Sequence, residues 1–151
     1  MTDTTSAATS LDVRIERHLD APPELAWHAW TDPAARAVWH KDSPDFEVEA
    51  ATGDLTPGGE WYVQFGPYRE EGVYLEVDPP RRISSRVTFI HPDGARFTTT
   101  CTATFEPDGK GGTNFTLVDA GFPDQAVRDA HAGGWPQFLD RFEAVIAGLP
   151  R

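Results

Sequence analysis

Residues 124–149 read Asp124-Gln125-Ala126-Val127-Arg128-Asp129-Ala130-His131-Ala132-Gly133-Gly134-Trp135-Pro136-Gln137-Phe138-Leu139-Asp140-Arg141-Phe142-Glu143-Ala144-Val145-Ile146-Ala147-Gly148-Leu149, and this stretch decides the fold. Its apolar positions, Val127, Trp135, Phe138, Leu139, Phe142, Val145, Ile146 and Leu149, recur at spacings of three and four. That is one face of an amphipathic helix of ~25 residues, ~37 Å long. Gly133, Gly134 and Pro136 fall inside it, which predicts a kink or a late start there. A helix with one apolar face needs a surface to cover, and the preceding text supplies it.

From residue 45 to 120 the period changes to two. Phe46 to Ala50 is a strand, and Pro57-Gly58-Gly59 turns the chain. Trp61, Val63 and Phe65 alternate with Glu60, Tyr62 and Gln64 up to a break at Gly66-Pro67; Val73, Leu75 and Val77 then alternate with Tyr74 and Glu76. After Asp78-Pro79-Pro80 come Ile83, Ser85, Val87 and Phe89 on one face. His91-Pro92-Asp93-Gly94 is a hairpin signal, and Phe97, Thr99, Cys101, Ala103 and Phe105 share the next face. Pro107 to Gly112 turns into a last strand, Thr113 to Val118. Loops this short join antiparallel neighbours.

Ahead of the meander, Leu11 to Arg17 alternates as a strand. Asp20-Ala21-Pro22-Pro23-Glu24 then opens a helix with an Asp cap and an acid in its first turn, and Thr31-Asp32-Pro33 divides that helix from a shorter one, Ala34 to Trp39. The prediction is an α+β fold, one domain over residues 11–149, with residues 1–10 a solvated tail.

Composition narrows the class. The 151 residues include five Trp and nine Phe, enough aromatic volume for a packed core, and no run approaches the ~20 apolar residues of a membrane span. The first ten residues have neither a basic start nor an apolar run, so no secretory signal is read there. A single cysteine, Cys101, fits a reducing interior, and the expected compartment is the cytoplasm. Net charge is −11, with Asp42, Asp45, Glu47, Glu49, Asp54 and Glu60 uninterrupted by any base. Such a surface repels phosphate backbones and argues against nucleic acid. Segment 42–60 is a solubilising face or a docking face for a basic protein.

The deduced inner face carries Trp61, Phe65, Phe89, Phe97, Phe105, Trp135 and Phe138, with Ser85, Thr99 and Cys101 among them. A twisted sheet wrapped on a helix leaves a cavity or fills it with its own aromatics, and the pattern alone leaves both open.

Six segments, in order, carry a resemblance. They are Ala21-Pro22-Pro23-Glu24 with Trp27; Trp30-Thr31-Asp32-Pro33; Trp39; Asp54 to Trp61; Gly72 to Arg81; and Gly111-Gly112-Thr113 followed by His131-Ala132-Gly133-Gly134-Trp135. Over residues 11–149 the sequence resembles the heat-shock-protein-90 ATPase activator homologue family, of the START-like (SRPBCC) superfamily. The resemblance implies a helix-grip fold: a curved seven-stranded antiparallel sheet around a long C-terminal helix, with two short helices after the first strand. It brings no shared catalytic residues. Where relatives often carry Arg, Trp and His, this chain has Thr56, His40 and Asp119.

The candidate ligand-lining set is Trp39, His40, Trp61, Phe65, Ser85, Phe89, Phe97, Thr99, Cys101, His131, Trp135 and Phe138. His131 lies four residues before Trp135 on one helical face, and His40 beside Trp39 at a pocket rim; either is a general acid–base or a buried neutral histidine. His18 and His91 read as strand-end and turn residues, and His28 lies on the short helix. Neither a metal nor a cofactor is assigned, because no His/Cys/Asp/Glu group has ligand spacing. Three functions follow in rank: binding of a small lipophilic molecule, aromatic or acyl; a cyclase-, aromatase- or hydrolase-like enzyme using the same pocket; and a co-chaperone-like interaction module. The last ranks lowest because such activators usually carry a further N-terminal domain. A monomer or homodimer is expected.

Overall fold

The structure, a computed structural model, describes residues 11–41 and 45–150. The expected tail, and Asp42 of the acidic run, lie outside the described residues.

The chain runs β1 (Val13–Leu19), α1 (Pro23–Thr31), α2 (Pro33–Trp39), β2 (Val48–Thr52), β3 (Glu60–Phe65), β4 (Tyr68–Asp78), β5 (Arg82–Ile90), β6 (Arg96–Pro107), β7 (Thr113–Ala120) and α3 (Gln125–Ala147). One seven-stranded antiparallel sheet has the order β1-β7-β6-β5-β4-β3-β2. The meander from β2 to β7 pairs each strand with its successor, and β1 closes on β7 from Val13↔Asp119 to Leu19↔Thr113. This is the helix-grip fold, with α3 held in the curve of the sheet and α1–α2 bridging from β1 to β2.

Local chemistry sets the helix ends. Asp124 accepts from Val127 N at 2.9 Å, which begins α3 without delay, and the helix continues through Gly133, Gly134 and Pro136. Arg17 of β1 reaches α3 there: its guanidinium meets Asp140 at 2.7 Å and Glu143 at 2.6 Å, and donates to Pro136 O at 3.2 Å. Asp32 caps α2 through Ala35 N at 3.0 Å. At α1 the cap differs from expectation. Pro22 occupies the N-cap with no side-chain bond, while Asp20 lies exposed beside His18 at 3.6 Å.

The phase of β4 also differs. Tyr74 is buried and Leu75 exposed, so Gly72 and Tyr74 face the helix in place of Val73 and Leu75. A register shift between Tyr74 and Glu76 resets the alternation beyond it. Gly72 explains the inversion. It pairs with Trp61 of β3, and a Cβ at 72 would come within 2.0 Å of the indole. The ring lies across the glycine backbone, so the face holding Gly72 is the one that carries Trp61.

α3 has two parts. Its C-terminal half sends Leu139, Phe142 and Ile146 into a solid core with Trp30, Trp39, Phe105 and Phe115. Trp30 stacks on Trp39 at 4.9 Å and meets Phe142 edge-on at 5.3 Å; each large side chain buried here contributes about 1.5–3 kcal/mol. The N-terminal half of α3 does not pack flush against the sheet.

Candidate functional site

Under that half lies a chamber of about 210 Å³. Trp30, Trp61, Phe89, Phe97, Trp135 and Phe138 line it, with Tyr68, Tyr74, Ile83 and Val87 completing the apolar surface. Strand alternation builds it. β5 and β6 pair Ser85↔Cys101, Val87↔Thr99 and Phe89↔Phe97, all facing inward, and the two phenyl rings stack at 5.6 Å. Trp61 Nε1 donates to Ser85 Oγ at 3.1 Å, so the indole is held on both its face and its edge. On the helix side Ala130 and Gly134 line the space, and a Cβ at Gly134 would meet nothing within 4 Å. Small residues leave this volume open.

Charged groups stand in this apolar wall. Arg36 of α2 lies enclosed by the rings of Trp30, Trp39 and Trp61, at 5.2, 5.0 and 4.5 Å from their centres. Its NH1 donates to Trp30 O at 3.0 Å and its Nε to His40 Nδ1 at 3.2 Å. A guanidinium only donates, so Nδ1 carries a lone pair and the imidazole proton sits on Nε2. That nitrogen faces Glu70 Oε2 at 3.1 Å. Cation, imidazole and carboxylate thus stand in a buried row. Burial alone would raise the Glu70 carboxyl, but His40 and Arg36 reverse this and hold it below the usual carboxylate range. Burial pulls Arg36 down from its ordinary value while Glu70 pushes back.

Asp119 is different. It closes the inner face of β7, is 4% exposed, and receives Trp135 Nε1 on Oδ2 at 3.1 Å. Burial pushes its carboxyl up to about 6; Thr99 and Trp135 draw it back, and the charges of Glu70 and Asp12 add to the rise. The Thr99 hydroxyl acts on the carboxyl, yet Oδ1 meets no hydrogen-bond partner of good geometry among the described residues. Cys101, on the neighbouring strand, is held well above the ordinary thiol value, first by burial and then by the Asp119 charge. His131 brings its ring edge-on to Phe89 at 5.1 Å and Phe97 at 5.3 Å, with Nδ1 3.3 Å from Val127 O.

Nine of the twelve sequence candidates meet around this chamber: Trp61, Ser85, Phe89, Phe97, Thr99, Cys101, His131, Trp135 and Phe138. The other three stand behind it. Trp39 is fully buried with Nε1 on Ala29 O at 2.8 Å, Phe65 is fully buried, and His40 sits beneath the wall as the middle of the row, away from any rim. Arg36, Glu70 and Asp119 were missed. Glu70 was hidden by the phase of β4, since it shares a face with Gly72 and Tyr74. Asp119 lies one residue past the strand end read at Val118, though it continues the alternation of Phe115 and Leu117. Arg36, a lone base in a short helix, reads as solvated; only its position three residues before Trp39 hints otherwise.

Such a sheet, helix and interior chamber define the class as helix-grip proteins. Residues 20–147 match the family described as Activator of Hsp90 ATPase homolog 1-like protein, and the chain belongs to it. Protein CV1439 from Chromobacterium violaceum is 30% identical, with a TM-score of 0.78, over 89% of this chain and 96% of that one. Protein Ms6760 from Mycobacterium smegmatis is 22% identical, with a TM-score of 0.75, over 93% of each. DynU16, a protein of the dynemicin biosynthetic locus, is 22% identical with a TM-score of 0.71; the match covers 91% of this chain and 47% of DynU16. At 22% the likeness shows the fold alone. No curated protein matches the chain.

Proposed function

We propose that the protein binds a small lipophilic molecule, aromatic or short-acyl in character, in the chamber between α3 and the sheet. One observation carries this reading: a space of about 210 Å³ lined by aromatic side chains beside a buried aromatic core. Protein interiors rarely leave such volumes, and an apolar cavity of about 150 Å³ already takes benzene. The chamber therefore suits one or two fused rings. Membership of a superfamily in which lipophilic ligands are common supports the same reading.

A second reading uses the same walls. A carboxyl held near 6 inside an apolar chamber is poised to exchange a proton near neutral pH, as a cyclase-, aromatase- or hydrolase-like enzyme requires. The place of DynU16 in a biosynthetic locus is compatible with it.

The test is binding of benzofuran and naphthalene, followed by calorimetry and by emission of Trp30, Trp61 and Trp135, with native mass spectrometry of freshly purified protein. The expected result is quenching with a Kd of about 1–100 μM. If no apolar probe binds, both readings fail and an interaction module becomes the better account.

A further inference from the structure

The chamber holds three formal charges, and their bookkeeping is uneven. Arg36 and Glu70 are joined through His40, so the cation is already matched and has three indoles packed on it. An incoming carboxylate would meet a neutralised guanidinium and the repulsion of Glu70 and Asp119. Asp119 has no cationic partner among the described residues. Asp119 lines the chamber; Trp135 fixes one of its oxygens, and the other is buried with no hydrogen-bond partner of good geometry among the described residues. An acceptor left so in a dry wall is costly, and a ligand that supplies a donor relieves it.

Resting on the chamber's role as a binding site, we infer that Asp119 is its ligand-orienting group, and that the ligand is a neutral aromatic molecule with one N–H or O–H donor set against the Asp119 carboxylate. The donor is taken as neutral because Arg36 stands in the same lining, where an incoming cation would meet a charge of its own sign. Trp135 serves twice, packing beside the ligand and holding the carboxylate still through Oδ2. The acyl alternative is thereby disfavoured.

A pH dependence follows, since the ionised carboxylate is the stronger acceptor. Around Asp119 stand Asp12 at the start of β1, Glu70 on β4, Thr99 and Cys101 on β6, and Trp135 on α3; His131 of α3 and Arg36 of α2 also face the chamber. Asp119 goes from neutral to charged around pH 6, so donor-bearing ligands gain affinity as pH rises through that value. The variant below removes only Asp119, so a pH effect that belongs to any other group persists in it.

Indole and benzofuran make the test, being nearly identical in shape, non-titrating from pH 5 to 8, and different in one N–H. At pH 8 indole is expected to bind about tenfold tighter than benzofuran, a ratio falling to about two- or threefold at pH 5. In Asp119→Asn the ratio should be small and the same at both pH values. Equal binding of both probes to the native protein overturns the role of Asp119 while leaving the chamber a binding site. A pH-dependent ratio persisting in Asp119→Asn assigns it to another group and overturns the inference too. Failure of both probes removes the chamber reading and this inference together.

Discussion

Trp135 Nε1 donates to Asp119 Oδ2 at 3.1 Å, so α3 and β7 are fastened to each other by a carboxyl inside an apolar chamber. The fastening has a cost in charge. In the unfolded chain this carboxyl titrates near 3.8, and in the folded protein at about 6. Below about pH 3 both states are protonated and nothing is lost. As pH rises from about 4 to 6 the unfolded chain ionises first, stability falls, and above about 6 the penalty is complete. The sign is thus opposite to that of a salt-bridged aspartate.

Asp119→Asn removes that penalty while keeping an oxygen for Trp135. The stability of the variant relative to the native protein should rise by about 2–3 kcal/mol between pH 4 and pH 7.5, a shift of roughly two pH units at 1.36 kcal/mol each. Urea unfolding at both pH values measures it. A difference that stays flat with pH would mean that Asp119 titrates normally.

Gly133 and Gly134 sit mid-helix, where glycine is unfavourable by about 1 kcal/mol relative to alanine. Neither is crowded, for a Cβ at either position meets nothing within 4 Å. Gly133 faces solvent and Gly134 the chamber. Alanine at each should therefore stabilise by about 0.5–1 kcal/mol in thermal or urea unfolding. Their ligand effects should separate: Gly133→Ala leaves benzofuran affinity intact, whereas Gly134→Leu, projecting into the space, weakens it tenfold or more, on the order of 1.4 kcal/mol. Equal effects at the two positions would mean the probe binds elsewhere.

The Arg36–His40–Glu70 row predicts strong coupling. Arg36→Met leaves a buried carboxylate and an imidazole without their cation, and about 3–5 kcal/mol of stability should be lost. Adding Glu70→Gln should recover part of it, because the charge that needed Arg36 is gone. A double-mutant cycle by urea unfolding reads the coupling, and strictly additive losses would show that the two groups do not interact.

The fold was legible because two periods are written plainly: three-and-four spacing from Val127 to Leu149, and alternation from Trp61 to Phe105. What stayed hidden was electrostatic. Arg36 and Glu70 look like surface residues in any local window, and only tertiary pairing through His40 makes their burial tolerable. β4 misled because its apolar residues Val73 and Leu75 lie on the outer face, while Gly72 gives its inner place to the Trp61 ring. Caps escaped where proline fixed the backbone without any side-chain bond, as at Pro22. Aromatic walls, by contrast, follow from strand phase alone, which is why Phe89, Phe97 and Cys101 could be placed together.

Cys101 offers a direct probe of the chamber. Its thiol lines the space, and burial with the nearby Asp119 charge holds it well above the ordinary value, so little thiolate exists at pH 8. Only the thiolate attacks a disulfide reagent, and here the reagent must also enter the chamber. Labelling by an aryl disulfide should be slower than that of an exposed cysteine by about tenfold or more, and should become fast in urea. Benzofuran at ten times its Kd leaves roughly a tenth of the chambers free, so it should slow labelling about tenfold further. Asp119→Asn removes one of the charges holding the thiol up and should speed labelling of the unliganded protein. Calorimetric binding of benzofuran with no protection of Cys101 would place the ligand outside the chamber and sink the site proposed for it.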